Sequence, residues 1–152
     1  MHQPPRNPKT RFMNRGMVGG IFGAGIGLFV AVTVVYLLAW YSGAGLERAQ
    51  TIAFVTWLVG HIFLAFNLRS DREPLFRLGV FSNRVMVGWA GATAAFVLVV
   101  TLVPWVQGIL KTVPLSGFEW LLILAVAFVS TFWIEASKWL FPRTKSPKAP
   151  VS

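Results

Sequence analysis

GMVGGIFGAGIGLFVAVTVVYLLAWY, residues 16–41, contains no charged side chain. At ~1.5 Å of rise per residue, a helix of that length crosses a hydrocarbon core of about 30 Å with some tilt. The run ends on Trp40 and Tyr41, amphipathic rings that suit the boundary between lipid and water. Arg6, Lys9, Arg11 and Arg15 precede it, the order found in an export signal. The run is too long for the apolar segment of a cleaved one. Residues 16–41 therefore predict a transmembrane helix.

Three more apolar runs follow, at about 49–68, 85–103 and 119–141. Pro104 and Trp105 mark the exit of the third, and Trp120 and Trp139 stand near the ends of the fourth. Composition agrees with this reading. The 152 residues are 55% hydrophobic and 12% charged, and the mean hydropathy is +0.64. That is too little charge to coat a soluble domain of this size. The expected fold class is all-α, a polytopic membrane protein with four transmembrane helices in a bundle. Residues 1–15, with Pro4, Pro5 and Pro8, form an expected basic surface arm, because proline interrupts a helix. The Pro/Lys/Ser-rich residues 142–152 form an expected disordered tail.

The net charge of +9 is strong enough to suggest nucleic-acid binding. Here the basic residues flank apolar spans instead of lining one face, so their expected partner is the anionic surface of the bilayer and not a nucleic acid. Counted over the five non-membrane segments, with Lys138 given to the tail, Lys and Arg run 4, 1, 4, 1, 4. Basic residues are retained on the cytoplasmic side. Both termini and the central loop 69–84 are therefore expected in the cytoplasm, and the chain in the cell membrane. There is no cysteine, which excludes disulfides and thiolate metal sites.

Few residues carry candidate chemistry. The glycine-rich stretch 19–27 is no nucleotide loop, because no strand precedes it and no Gly-Lys-Ser/Thr follows. Gly19, Gly23 and Gly27 instead fall on one helical face, where small residues let helices approach closely in lipid. Gly88, Ala92 and Ala95 hint at a second such face. His61 lies within the second helix, and an ionisable side chain there is a candidate for an ion path. It also suits a plain hydrogen bond to a neighbouring helix. Glu135, near the cytoplasmic end of the fourth helix, pairs with Lys138 at i+3 or faces His61. Asn67 opens the polar stretch into the central loop, a solvated connection or a docking surface for a cytoplasmic domain. Paired carboxylates, activated nucleophiles, metal-ligand clusters and phosphate loops are missing. No catalytic residue, metal or cofactor is expected.

Several short motifs then stand in a particular order. They are Arg48-Ala-Gln-Thr-Ile-Ala-Phe54, Asn67-Leu-Arg-Ser70, Leu75-Phe76, Phe81-Ser-Asn-Arg84, Val103-Pro-Trp105, Lys111-Thr-Val-Pro-Leu-Ser116 and Glu119-Trp120. With the Pro4-Pro5-Arg6 start, this set resembles the C-terminal transmembrane domain of P-type cation-transporting ATPases of the calcium-pump-like class. The resemblance covers about Met1 to Leu140. It implies that the four helices correspond to the seventh to tenth helices of the pump and support its six-helix transport core. It also implies that the second helix here can contribute a side chain near an ion site, with His61 near the matching position.

The phosphorylated Asp-Lys-Thr-Gly motif, the Thr-Gly-Glu motif and a nucleotide domain are not in this sequence. The resemblance therefore implies a support domain that needs a P-type catalytic subunit as partner, whether the chain is a split-off piece, a truncated product or a domain retained for another use. The competing expectations are a non-transport membrane scaffold or regulator, and a small autonomous transporter, alone or as a homo-oligomer, using His61 and Glu135.

Overall fold

The computed structural model describes residues 15–67 and 83–140, with side chains placed at 18–67 and 83–132. The basic arm, most of the central loop and the tail lie outside the described residues, as do the side chains of Glu135 and Lys138. The described residues form five helices and no strand: α1 (Arg15–Tyr41), α2 (Leu46–Asn67), α3 (Arg84–Leu102), α4 (Pro104–Leu110) and α5 (Gly117–Leu140). Val18–Tyr41, Leu46–Asn67 and Arg84–Leu102 are each long and apolar enough to cross a membrane. In α5 the apolar character is described over Gly117–Phe132.

Local chemistry sets the boundaries. The turn after α1 uses Gly43 and Gly45, at φ of 80° and 87°. Ala44 N–H donates to Ala39 O, and Gly43 N–H to Trp40 O. This is a left-handed glycine cap that satisfies the last carbonyls of the helix. The second helix then starts at Leu46, earlier than the expected 49. Glu47 and Arg48 look like loop charges in the sequence, but an acidic residue in a first turn is favourable against the helix dipole. Asn83 caps α3, its side-chain oxygen accepting from Val85 N and Met86 N at 3.1 and 3.2 Å.

The end of α3 corrects another expectation. Pro104 and Trp105, expected at the exit of the third run, instead open α4, a seven-residue helix with Pro104 in its first turn. Proline brings no N–H, so Val100 O loses the donor that a continuing helix would supply. The Thr112 hydroxyl donates to that carbonyl at 2.6 Å. Gln107 Nε2 donates to Thr101 O, also at 2.6 Å. Two side chains thus replace backbone donors where the chain turns.

Contacts between elements fix the order of the bundle. α2 packs against α1, α3 and α5, and α1 also meets α5. The buried core joins Val35 of α1, Ile52, Val55 and Val59 of α2, Val97 of α3, and Ile123 and Ala127 of α5. The α1–α2 turn, the C-terminus of α3 and the start of α5 lie at one end, tied by bonds from Arg48 to Glu119 and from Val113 N–H to Thr51. The four long helices therefore alternate in direction, with α2 in the middle.

Among the described residues, glycine permits a close approach at position 60. A Cβ on Gly60 would run into the Leu28 side chain, so α1 and α2 are close there because Gly60 has none. Hydroxyls inside the spans turn back on their own helices. Thr33, Thr56, Thr93, Thr101 and Thr131 each donate to the carbonyl four residues earlier. Lipid offers no alternative partner, so this local satisfaction is what permits them.

Candidate functional site

The polar groups of α2 form a sparse ladder from one end of the bundle toward the other. At the first end, Arg48 Nη1 donates to both carboxylate oxygens of Glu119, each at 2.9 Å. Glu119 is also the third residue of α5. Its Oε2 accepts from Ser116 N at 2.6 Å, while Glu119 N donates to Ser116 Oγ at 3.3 Å. That reciprocal arrangement is a capping box. One carboxylate therefore caps α5 and clamps it to α2. One turn along, Thr51 Oγ1 accepts from Val113 N at 3.1 Å and donates to Glu47 O at 2.7 Å. The loop 111–116 is thereby held onto α2.

His61 is half-buried. Its Nδ1 lies 2.8 Å from Trp57 O. A carbonyl can only accept, so this geometry makes Nδ1 the donor. The ring also meets Trp57 edge-on, with centroids 4.6 Å apart. Trp57 stacks with Phe54, which meets Phe96 of α3. Among the described residues, His61 bonds within its own helix, and its relation to the Glu135 side chain lies outside them. Asn67 is buried and crosses to α5, its Nδ2 donating to Thr131 O at 3.2 Å. Among the described residues, no three His, Asp or Glu side chains come together.

The expected glycine face divides. Gly19 is exposed, and a Cβ there would meet nothing within 4 Å. Gly23 and Gly27 are half-buried. Gly27 lines a groove of about 460 Å³ between α1 and α5 with Val30, Ala31, Ala125, Val126, Val129 and Ser130. Gly88 also has open space around it.

Two features were not singled out as sites from sequence. One is the Arg48–Glu119 clamp. Its trace was legible, because Ser116 and Glu119 have capping-box spacing ahead of an apolar run, but nothing named Arg48 as the partner. The other is Gly60, a lone glycine whose role depends on Leu28, a residue of another helix.

A bundle of long apolar helices, with its hydroxyls bonded internally and a buried amide crossing between helices, is a multi-pass membrane domain. A family model described as cation transporting ATPase, C-terminus, matches residues 1–140, and the chain belongs to that family. Its relatives are whole pumps. It is 27% identical over 138 residues to the calcium-transporting ATPase of Bacillus subtilis (strain 168), covering 90% of this chain and 15% of that protein. To a probable cation-transporting ATPase F of Mycobacterium tuberculosis it is 29% identical over 148 residues, covering 96% and 16%. To calcium-transporting ATPase 1 of Yarrowia lipolytica it is 28% identical over 141 residues, covering 91% and 15%. The chain thus spans about one sixth of the relatives' length, in their C-terminal membrane region, as the ordered motifs imply.

Proposed function

We propose that this domain is the membrane support of a P-type cation-transporting ATPase, and that it contributes to cation transport only together with the pump's catalytic part. That part is supplied by a partner chain or by the same polypeptide. The match of residues 1–140 to the C-terminal membrane family carries this reading. The domain itself performs no hydrolysis, because phosphoryl transfer needs an acceptor and a nucleotide site that this stretch does not contain. All four long helices cross the cell membrane, with the Arg48–Glu119 end outside and both termini in the cytoplasm. The alternation of helix direction and of basic residues supports that orientation.

Asn67 acts as a structural tie between α2 and α5. His61 is the candidate for the ion path, its Nε2 left open by the bond that Nδ1 makes to Trp57 O. Gly23 and Gly27 act in helix packing.

The test is purification of the tagged protein from its native membranes in mild detergent, with mass spectrometry and an assay of phosphate release. The expected result is an Asp-Lys-Thr-Gly motif in the purified species and ATPase activity stimulated by cations. Recovery of the domain without that motif, alone or with unrelated proteins and no ATPase activity, would overturn the proposal and leave a scaffold.

A further inference from the structure

The connection between α3 and α5 has its polar and apolar groups arranged the wrong way round for a loop in water. Pro104–Leu110 contains no charged residue. Its one polar side chain, Gln107, is half-buried and bonded to Thr101 O. Thr112, just beyond, is bonded to Val100 O. These polar groups are turned inward to close the carbonyls opened by Pro104. The apolar groups face outward. Trp105 is 76% exposed and Ile109, four residues on and so on the same helical face, is 60% exposed. Gly108 lies on that face too, and among the described residues the Trp105 indole N–H meets no acceptor.

We infer that α4 is seated in the headgroup–acyl boundary of one leaflet, with its Trp105–Ile109 face against phospholipid. Three observations select lipid as the occupant. The face adjoins surface that must already face the bilayer, since Leu98 and Leu102 at the end of the membrane-length α3 are exposed. An indole with an apolar body and a donor N–H fits the boundary, where headgroup oxygens accept the hydrogen bond. Exposed Lys111 directly follows α4, and a long cationic side chain beside an apolar face suits the headgroup level. The inference requires only that α3 spans the membrane, and holds whether or not the bundle works in a pump.

The absence of cysteine makes single-cysteine spin labelling of the full chain clean. Trp105→Cys and Ile109→Cys are labelled and measured in nanodiscs of phosphatidylcholine and phosphatidylglycerol. Ser42→Cys, in the α1–α2 turn, is the water-facing control, and Leu98→Cys the span control. The readout is collision with oxygen relative to a water-soluble nickel chelate.

Ratios at both α4 positions several-fold above Ser42→Cys and below Leu98→Cys are expected. Ratios equal to Ser42→Cys would place α4 in water and overturn the inference. Spin–spin broadening that disappears on dilution with unlabelled protein would overturn it as well, by assigning the face to a second copy of this chain. If Trp105→Cys fails to fold, Ile109→Cys alone decides.

Discussion

The two ends of α2 are held by different physics. Near Leu46 it is fastened by directional polar bonds: Arg48 to Glu119, Val113 N–H to Thr51 Oγ1, and the Ser116–Glu119 cap that fixes where α5 begins. Further along, contact with α1 is steric, Leu28 filling the space left by Gly60. Contact with α5 there rests on apolar packing and a single described amide bond, from Asn67. The division follows the solvent. At the boundary, charged groups keep part of their hydration, and an ion pair is cheap to form and worth little. In the hydrocarbon, association comes from van der Waals fit and small residues. The bundle is thus indexed by polar contacts at its rim and held by shape in its interior.

The interior should be the more sensitive of the two. Gly60→Val puts branched carbon where Leu28 already sits, and overpacking of this kind costs about 1–3 kcal/mol. Unfolding by increasing SDS in mixed micelles should show that loss, and Leu28→Ala in the same chain should restore part of it. An undisturbed transition in Gly60→Val would mean that the α1–α2 approach is not what holds the interior. The pairing matters because Leu28→Ala by itself opens a cavity and should also destabilise.

How much of this could be read beforehand follows the same division. Three apolar helices of membrane length were legible because lipid imposes length and apolarity on a span, and the motif order carried the family. Helix starts were less legible. Glu47 and Arg48 resemble loop charges, and only the glycine turn before them shows that they belong to the first turn of α2. The helix α4 was hidden for a similar reason. Pro104 reads as an exit, and the carbonyls that Thr112 and Gln107 close are invisible in one dimension. The glycine stripe at 19, 23 and 27 was visible as a pattern, but a repeat along one helix does not say where its neighbour lies. Gly60 belongs to no repeat, and its importance arises from a residue on another helix.

At the rim, smaller effects are expected. Glu119→Ala removes both the clamp and the cap, and should cost about 1–2 kcal/mol, most of it from the cap. Glu119→Gln keeps the capping oxygen and gives up the charge. Arg48 is 37% exposed at its side chain, so water screens the pair and its own contribution should be only about 0.5 kcal/mol. A double-mutant cycle with Arg48→Gln, read by the same SDS titration, isolates that share. A coupling as large as the loss from Gly60→Val would erase the distinction between rim and interior.

The smallest effect should come from a helical glycine whose Cβ would meet no described neighbour. Gly19 is helical and exposed, and an added methyl there enters open space. Alanine also restricts the unfolded chain and favours the helix, so Gly19→Ala should leave the SDS transition unchanged or raise stability by up to about 1 kcal/mol. The comparison sharpens with leucine, whose bulk reads out whether anything covers that surface. Gly19→Leu should remain harmless in the isolated domain, because among the described residues nothing lies within 4 Å of a Cβ there. If the same variant weakens recovery of ATPase activity from native membranes while the purified domain stays stable, the face carrying Gly19 packs against the pump's catalytic part. If Gly19→Leu destabilises the purified domain as Gly60→Val does, Gly19 belongs to the bundle's own interior, and the division of the glycine stripe drawn from its exposure fails.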